Sequence, residues 1–111
     1  MTPVLSRKLV LEGAVQVPDG AGGFAENWQP LGELWAEILA GSGRETAGSF
    51  APVSRVSYRI TVRGAPFGAP SRPKPDQRFR DGDRLFRILA VGERDPQGRY
   101  LTCHAVEEVA A

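Results

Sequence analysis

Apolar and polar positions alternate along most of this chain, with a period of two rather than three or four. Leu9, Leu11, Gly13, Val15 and Val17 interleave with Lys8, Val10, Glu12, Ala14 and Gln16, the pattern of a strand with a buried face. Asp19-Gly20-Ala21-Gly22-Gly23 then reverses the chain, because three glycines in four positions accept backbone conformations that other residues resist. Beyond the turn, two short runs carry Phe24 and Trp28, then Leu34, Trp35 and Ile38. The second run, 32–40, has helix-forming residues, yet Pro30 and Gly32 precede it and Gly41-Ser42-Gly43 ends it, so a strand is predicted. Ser54 to Arg63 is the clearest strand: Val56, Tyr58, Ile60 and Val62 face one way, and Arg55, Ser57, Arg59, Thr61 and Arg63 the other.

The second half follows the same rule with one interruption. Residues 64–77 hold four of the nine prolines, which deny a sheet its amide donors, so an exposed, extended loop is predicted there. Residues 41–52 form a second long connection, weakly apolar in composition. Arg78-Phe79-Arg80 resumes the sheet, Asp81-Gly82-Asp83 reverses it, and Leu85 to Val91 is apolar on both faces, as a central covered strand would be. Asp95-Pro96-Gln97-Gly98 matches a type I turn, and Arg99 to Glu108 completes the last hairpin. The expectation is an all-β fold: one domain over 1–111, a small antiparallel β-barrel of six to seven strands with two long loops. Its predicted core holds Leu11, Phe24, Trp28, Trp35, Ile38, Tyr58, Ile60, Phe86 and Ile88.

Composition narrows the chemistry. The chain has 111 residues, one cysteine, one histidine and a net charge of +1. Cys103 and His104 are adjacent on a predicted strand and so point to opposite faces, which rules out a shared nucleophilic or metal role. The glycine-rich turn lacks the lysine and hydroxyl residues of a phosphate-binding loop, and Asp76, Asp81 and Asp83 lack calcium-loop spacing. No catalytic, cofactor or metal site is expected. There is no apolar run of membrane-spanning length and no signal-peptide pattern, so a soluble, intracellular chain without membrane contact is expected. Charge is uneven: residues 1–53 hold three basic groups against six acids, and 54–99 eleven against five. Twelve of the fourteen basic residues are arginine, suited to bidentate contacts with carboxylate or phosphate.

The order of these features resembles the head-tail joining proteins of long-tailed bacteriophages, the head-closure or stopper proteins of the particle neck. The resemblance rests on Leu11-Glu12, Gly22-Gly23-Phe24, Trp28 and Trp35-Ala36-Glu37-Ile38, then Tyr58-Arg59-Ile60-Thr61-Val62-Arg63 and Phe86-Arg87-Ile88-Leu89-Ala90-Val91 before the last hairpin. It implies a virion component assembled in the bacterial cytoplasm: a homo-oligomeric ring between a portal-adaptor protein and a tail terminator or tail tube. Packaged double-stranded DNA would pass through the channel, and counterparts serve in gene transfer agents. A ring subunit needs loops that reach its neighbours and unlike charges on opposite edges. The interface residues expected on that basis are Arg55, Arg59 and Arg63 on the strand, Arg44, Glu45 and Phe50 on the first loop, and Phe67, Arg72 and Lys74 on the second. The alternatives are another neck or tail-completion protein, such as a tail terminator, and a free-standing nucleic-acid-binding barrel.

Overall fold

A computed structural model describes residues 2–41 and 56–108. Six strands follow one another: β1 (Arg7–Pro18), β2 (Phe24–Ala40), β3 (Ser57–Arg63), β4 (Arg78–Asp81), β5 (Arg84–Glu93) and β6 (Tyr100–Glu108). All six pair antiparallel in the order β1-β2-β3-β6-β5-β4, and β4 pairs back onto β1 to close a barrel. Closure leaves no sheet edge along the barrel wall, so each strand finds hydrogen-bond partners on both sides.

Alternation decides what points inward. Leu9 and Leu11 from β1, Ala36 from β2, Ile60 and Val62 from β3, and Phe79 from β4 are fully buried. Phe86 and Ile88 from β5, with Leu101, Cys103 and Ala105 from β6, complete the interior. Leu34, Ile38, Tyr58 and Val91, partly buried, pack against this set. Tyr58 meets Phe86 edge-on, with ring centroids 5.1 Å apart. Outside the wall, the segment before β1 lies over the sheet: Pro3 is buried, and the Val4 amide donates to Glu37 Oε2 at 3.0 Å. Thr61, expected on an open arginine-bearing face, is buried, and its hydroxyl accepts from Arg94 Nη1 at 3.3 Å.

Four sequence expectations are corrected. The two runs after the first turn are one strand of 17 residues, because the register shift between Leu11 and Glu12 absorbs the irregular stretch from Pro30 to Gly32 as a bulge. β5 is not covered on both sides: a second bulge between Ile88 and Ala90 turns Val91 inward and leaves Leu89 57% exposed. Val56 precedes β3 and is exposed rather than packed. Finally, 64–77 is a folded strap. Its amides close turns onto Pro66, Ala69 and Lys74, it bonds to Ile88 at its end, and it buries Arg72 and Pro73. The first long loop, 41–52, lies outside the described residues apart from Gly41.

Candidate functional site

The β1–β2 hairpin outruns the barrel. Its near half contributes Leu9, Leu11, Leu34 and Ala36 to the interior, whereas residues 14–16, 18–22, 24–27 and 29–33 are exposed. A paired ladder from Gly13↔Gln29 to Pro18↔Phe24 carries this arm outward, in a molecule whose extents are 51 × 35 × 24 Å. At the tip, the Asp19 carboxylate accepts hydrogen bonds from the Ala21 and Gly23 amides at 2.8 and 3.0 Å, and these hold its pKa below the ordinary carboxylate value. Phe24 stands beside that turn at 68% exposure, with Val15 and Leu31 also exposed along the arm. A long, partly apolar hairpin in water is a surface for contact rather than for chemistry.

Where the arm leaves the barrel, charged groups clamp it. The Glu12 carboxylate accepts from Arg78 Nε at 2.7 Å and Arg80 Nε at 2.8 Å, both on β4. Burial alone would raise its pKa, but the two guanidinium hydrogen bonds and charges outweigh that and hold it below the ordinary value. The Arg78 guanidinium also lies 4.0 Å from the Trp28 ring centroid, and Arg87 5.3 Å from the same ring. Trp28 is thus half-buried between two arginines. It ties the base of the arm to β4 and β5 and is no part of the interior.

A second cluster joins β3, β5 and β6. Arg84 donates to Glu107 through Nε at 2.9 Å and Nη2 at 3.1 Å, and to the Tyr58 hydroxyl at 3.2 Å. The Arg84 hydrogen bonds keep the Glu107 carboxyl below its ordinary pKa. On the strap, Phe67 is 83% exposed and stacks on the Arg72 guanidinium, 3.8 Å from its ring centroid. Arg72 Nη1 donates to the Ala65 carbonyl at 2.8 Å. Inside the barrel, burial pushes the Cys103 thiol up to about 12, with Arg72 pulling weakly the other way.

The residues expected at an interface therefore separate. Arg59 and Arg63 are exposed on one outward face of β3, and Phe67 and Lys74 are exposed on the strap. Arg72 is a correction: its guanidinium is buried and spent within the strap, because Phe67 covers it. Arg44, Glu45, Phe50 and Arg55 lie outside the described residues. Three residues assigned to the core are corrected too: Trp28 lies between Arg78 and Arg87 outside the interior. Phe24 lies on the arm, beyond any strand that could cover it, and Trp35 occupies the outward parity between Leu34 and Ala36, 55% exposed. Leu11, Ile60, Phe86 and Ile88 are in the interior, with Ile38 and Tyr58 packed against it. Sequence reasoning missed the arm as the main projecting element. One signal was available: no basic residue falls between Lys8 and Arg44, a long strand pair bearing only acids.

The chain as a whole has counterparts among known proteins. The family model for phage head completion proteins matches residues 1–108. The chain belongs to that family. A chain within the virion of a native gene transfer agent particle is 59% identical to this family member, with a TM-score of 0.82, covering 99% of this chain and 100% of that one. The solution structure of a protein from Shigella flexneri 2a has a TM-score of 0.69 at 20% identity, covering 96% of both chains, and shows that the fold is shared. No curated protein matches the chain.

Proposed function

We propose that this head completion protein is a neck subunit of a tailed-phage-type or gene transfer agent particle. Copies form a ring between the portal-adaptor and the tail, retain packaged DNA and accept the tail. The observation that carries this reading is the likeness, end to end at 59% identity, to a chain of a gene transfer agent virion. The geometry supports it: a closed barrel is a rigid body, and the arm, Phe67 on the strap and Arg59 and Arg63 on β3 are exposed on it as separate surfaces. In this reading Arg59, Arg63, Phe67 and Lys74 meet neighbouring proteins, and Arg72 positions Phe67. Protein contact is preferred over DNA for the arginines, since a channel that must pass DNA gains nothing from phosphate contacts that each add affinity.

Electron microscopy of particles from a host lacking this chain tests the reading. Emptied heads beside separate, complete tails are expected. Normal, tailed, DNA-filled particles would overturn it.

A further inference from the structure

An apolar groove opens where β2 runs on past its pairing with β3, lined by Leu5, Glu33, Leu34, Trp35 and Arg63, with a volume of about 540 Å³. Trp35 is exposed there, and Leu5 of the segment before β1 lines the groove with it. Its rim is charged: Lys8 lies 3.4 Å from Glu33 and 6.0 Å from the Trp35 ring centroid, and among the described residues Arg63 is in no ion pair. Such a groove fits a large apolar side chain that arrives with an acid beside it.

The arm offers that pair. Phe24 and Glu26 are two residues apart on β2 and so project from the same face, Phe24 opposite Pro18 and Glu26 opposite Gln16. The carboxylate of Asp19 is occupied by its own turn, which leaves Glu26 as the exposed acid of the tip. The two halves cannot meet within one molecule. Phe24 and Trp35 lie on one extended strand, eleven residues and roughly 35 Å apart at the rise of a strand. Phe24 and Glu26 of the same copy cannot fill the groove, and the chemistry it takes is present on a second copy of this chain.

We propose that the arm of one copy docks on the next, with Phe24 in the Leu5–Leu34–Trp35 groove and Glu26 facing Arg63. Arm and groove are different surfaces, so the contact is head-to-tail and closes into a ring if the rotation per copy allows. This deepens the neck reading and rests on it: the ring is joined by the arm rather than by the two loops that the sequence singles out.

The test uses particles produced with a chain carrying both Glu26→Cys and Arg63→Cys, treated with a short bismaleimide. Both positions are exposed, and Cys103 is buried away from the reagent. A ladder of two, three and more chain masses is expected, absent from either single variant, and adding Phe24→Ser should cut the ladder about tenfold, the loss of one anchoring contact of hot-spot size. Particles that contain the chain and yield only monomer overturn the docking. A dimer with nothing larger means reciprocal exchange of arms and overturns the head-to-tail arrangement. Absence of the chain from purified particles overturns the neck reading itself, and the docking with it.

Discussion

Glu12 sits where the arm leaves the barrel, and its two carboxylate oxygens are divided between arginines on one neighbouring strand. A buried carboxylate is costly unless its lone pairs are satisfied, and here Arg78 and Arg80 satisfy both oxygens at ordinary hydrogen-bond lengths. Removing it leaves Arg78, largely shielded from water, without its partner, while Arg80 is nearly half exposed and rehydrates. Glu12→Ala should therefore destabilise the fold by about 2–4 kcal/mol, toward the low side of a broken buried pair, read from urea unfolding. Glu33→Ala, which removes an exposed pair with Lys8, should shift stability by no more than about 0.5 kcal/mol. Glu12 and the two arginines were each visible in the sequence as strand residues of ordinary polarity. Their meeting was not, since 66 residues separate Glu12 from Arg78 and only barrel closure pairs them.

At the scale of elements, the arm and the strap differ in what they owe the barrel. The arm beyond Ala14 and Trp28 contributes none of the buried interior, so replacing residues 16–26 by a two-residue Asn-Gly turn should leave the thermal midpoint within a few degrees. The same change should abolish assembly of DNA-filled, tailed particles, scored by transfer of packaged DNA. A fall in stability as large as that of Glu12→Ala would show that the arm is part of the folding unit. The strap is the reverse case. The Gly64 amide donates to the Arg99 carbonyl at 2.7 Å, and a Cβ at Gly64 would run into the Gly98 carbonyl oxygen. That close approach starts the strap, which goes on to bury Arg72 and Pro73. The prolines announced that no strand would run through 64–77, and correctly so. They could not announce packing, because proline constrains the backbone without saying what lies above it.

For the molecule as a whole, closure through β1 and β4 ties both ends of the sheet together, and two acid groups in its ion pairs, Glu12 across that closure and Glu107 beside Arg84, have depressed pKa values. Glu12 and Glu107 both sit below their ordinary value of 4.5. A carboxyl whose folded pKa is depressed binds fewer protons when folded, so its contribution is fully present above the unfolded value and is lost as pH falls through the folded one. Stability should be level from neutral pH to about 5, then decline below about 4.5 as Arg78, Arg80 and Arg84 lose their ionised partners. Circular dichroism melts across that range check it, and an unchanged midpoint at pH 3 would remove these ion pairs from the account of stability.

The sequence by itself determined the period-two alternation, the glycine and aspartate reversals at 19–23 and 81–83, the proline-interrupted stretch and hence an all-β antiparallel fold, for which barrel and sandwich both remained open. These are local properties: backbone sterics and side-chain alternation act over a few residues and need no distant partner. Only the tertiary structure decided which side of each strand is inside and how far a strand outruns its neighbours. Phe24 and Trp35 have the size and polarity of core residues, yet one lies past the last strand that could cover it and the other on the outward parity of β2. Two bulges, at Leu11/Glu12 and Ile88/Ala90, reset which residues share a face, and a one-residue shift moves every following side chain to the other side of the sheet. Burial is a property of what packs above a residue, and that is settled by strands distant in the chain.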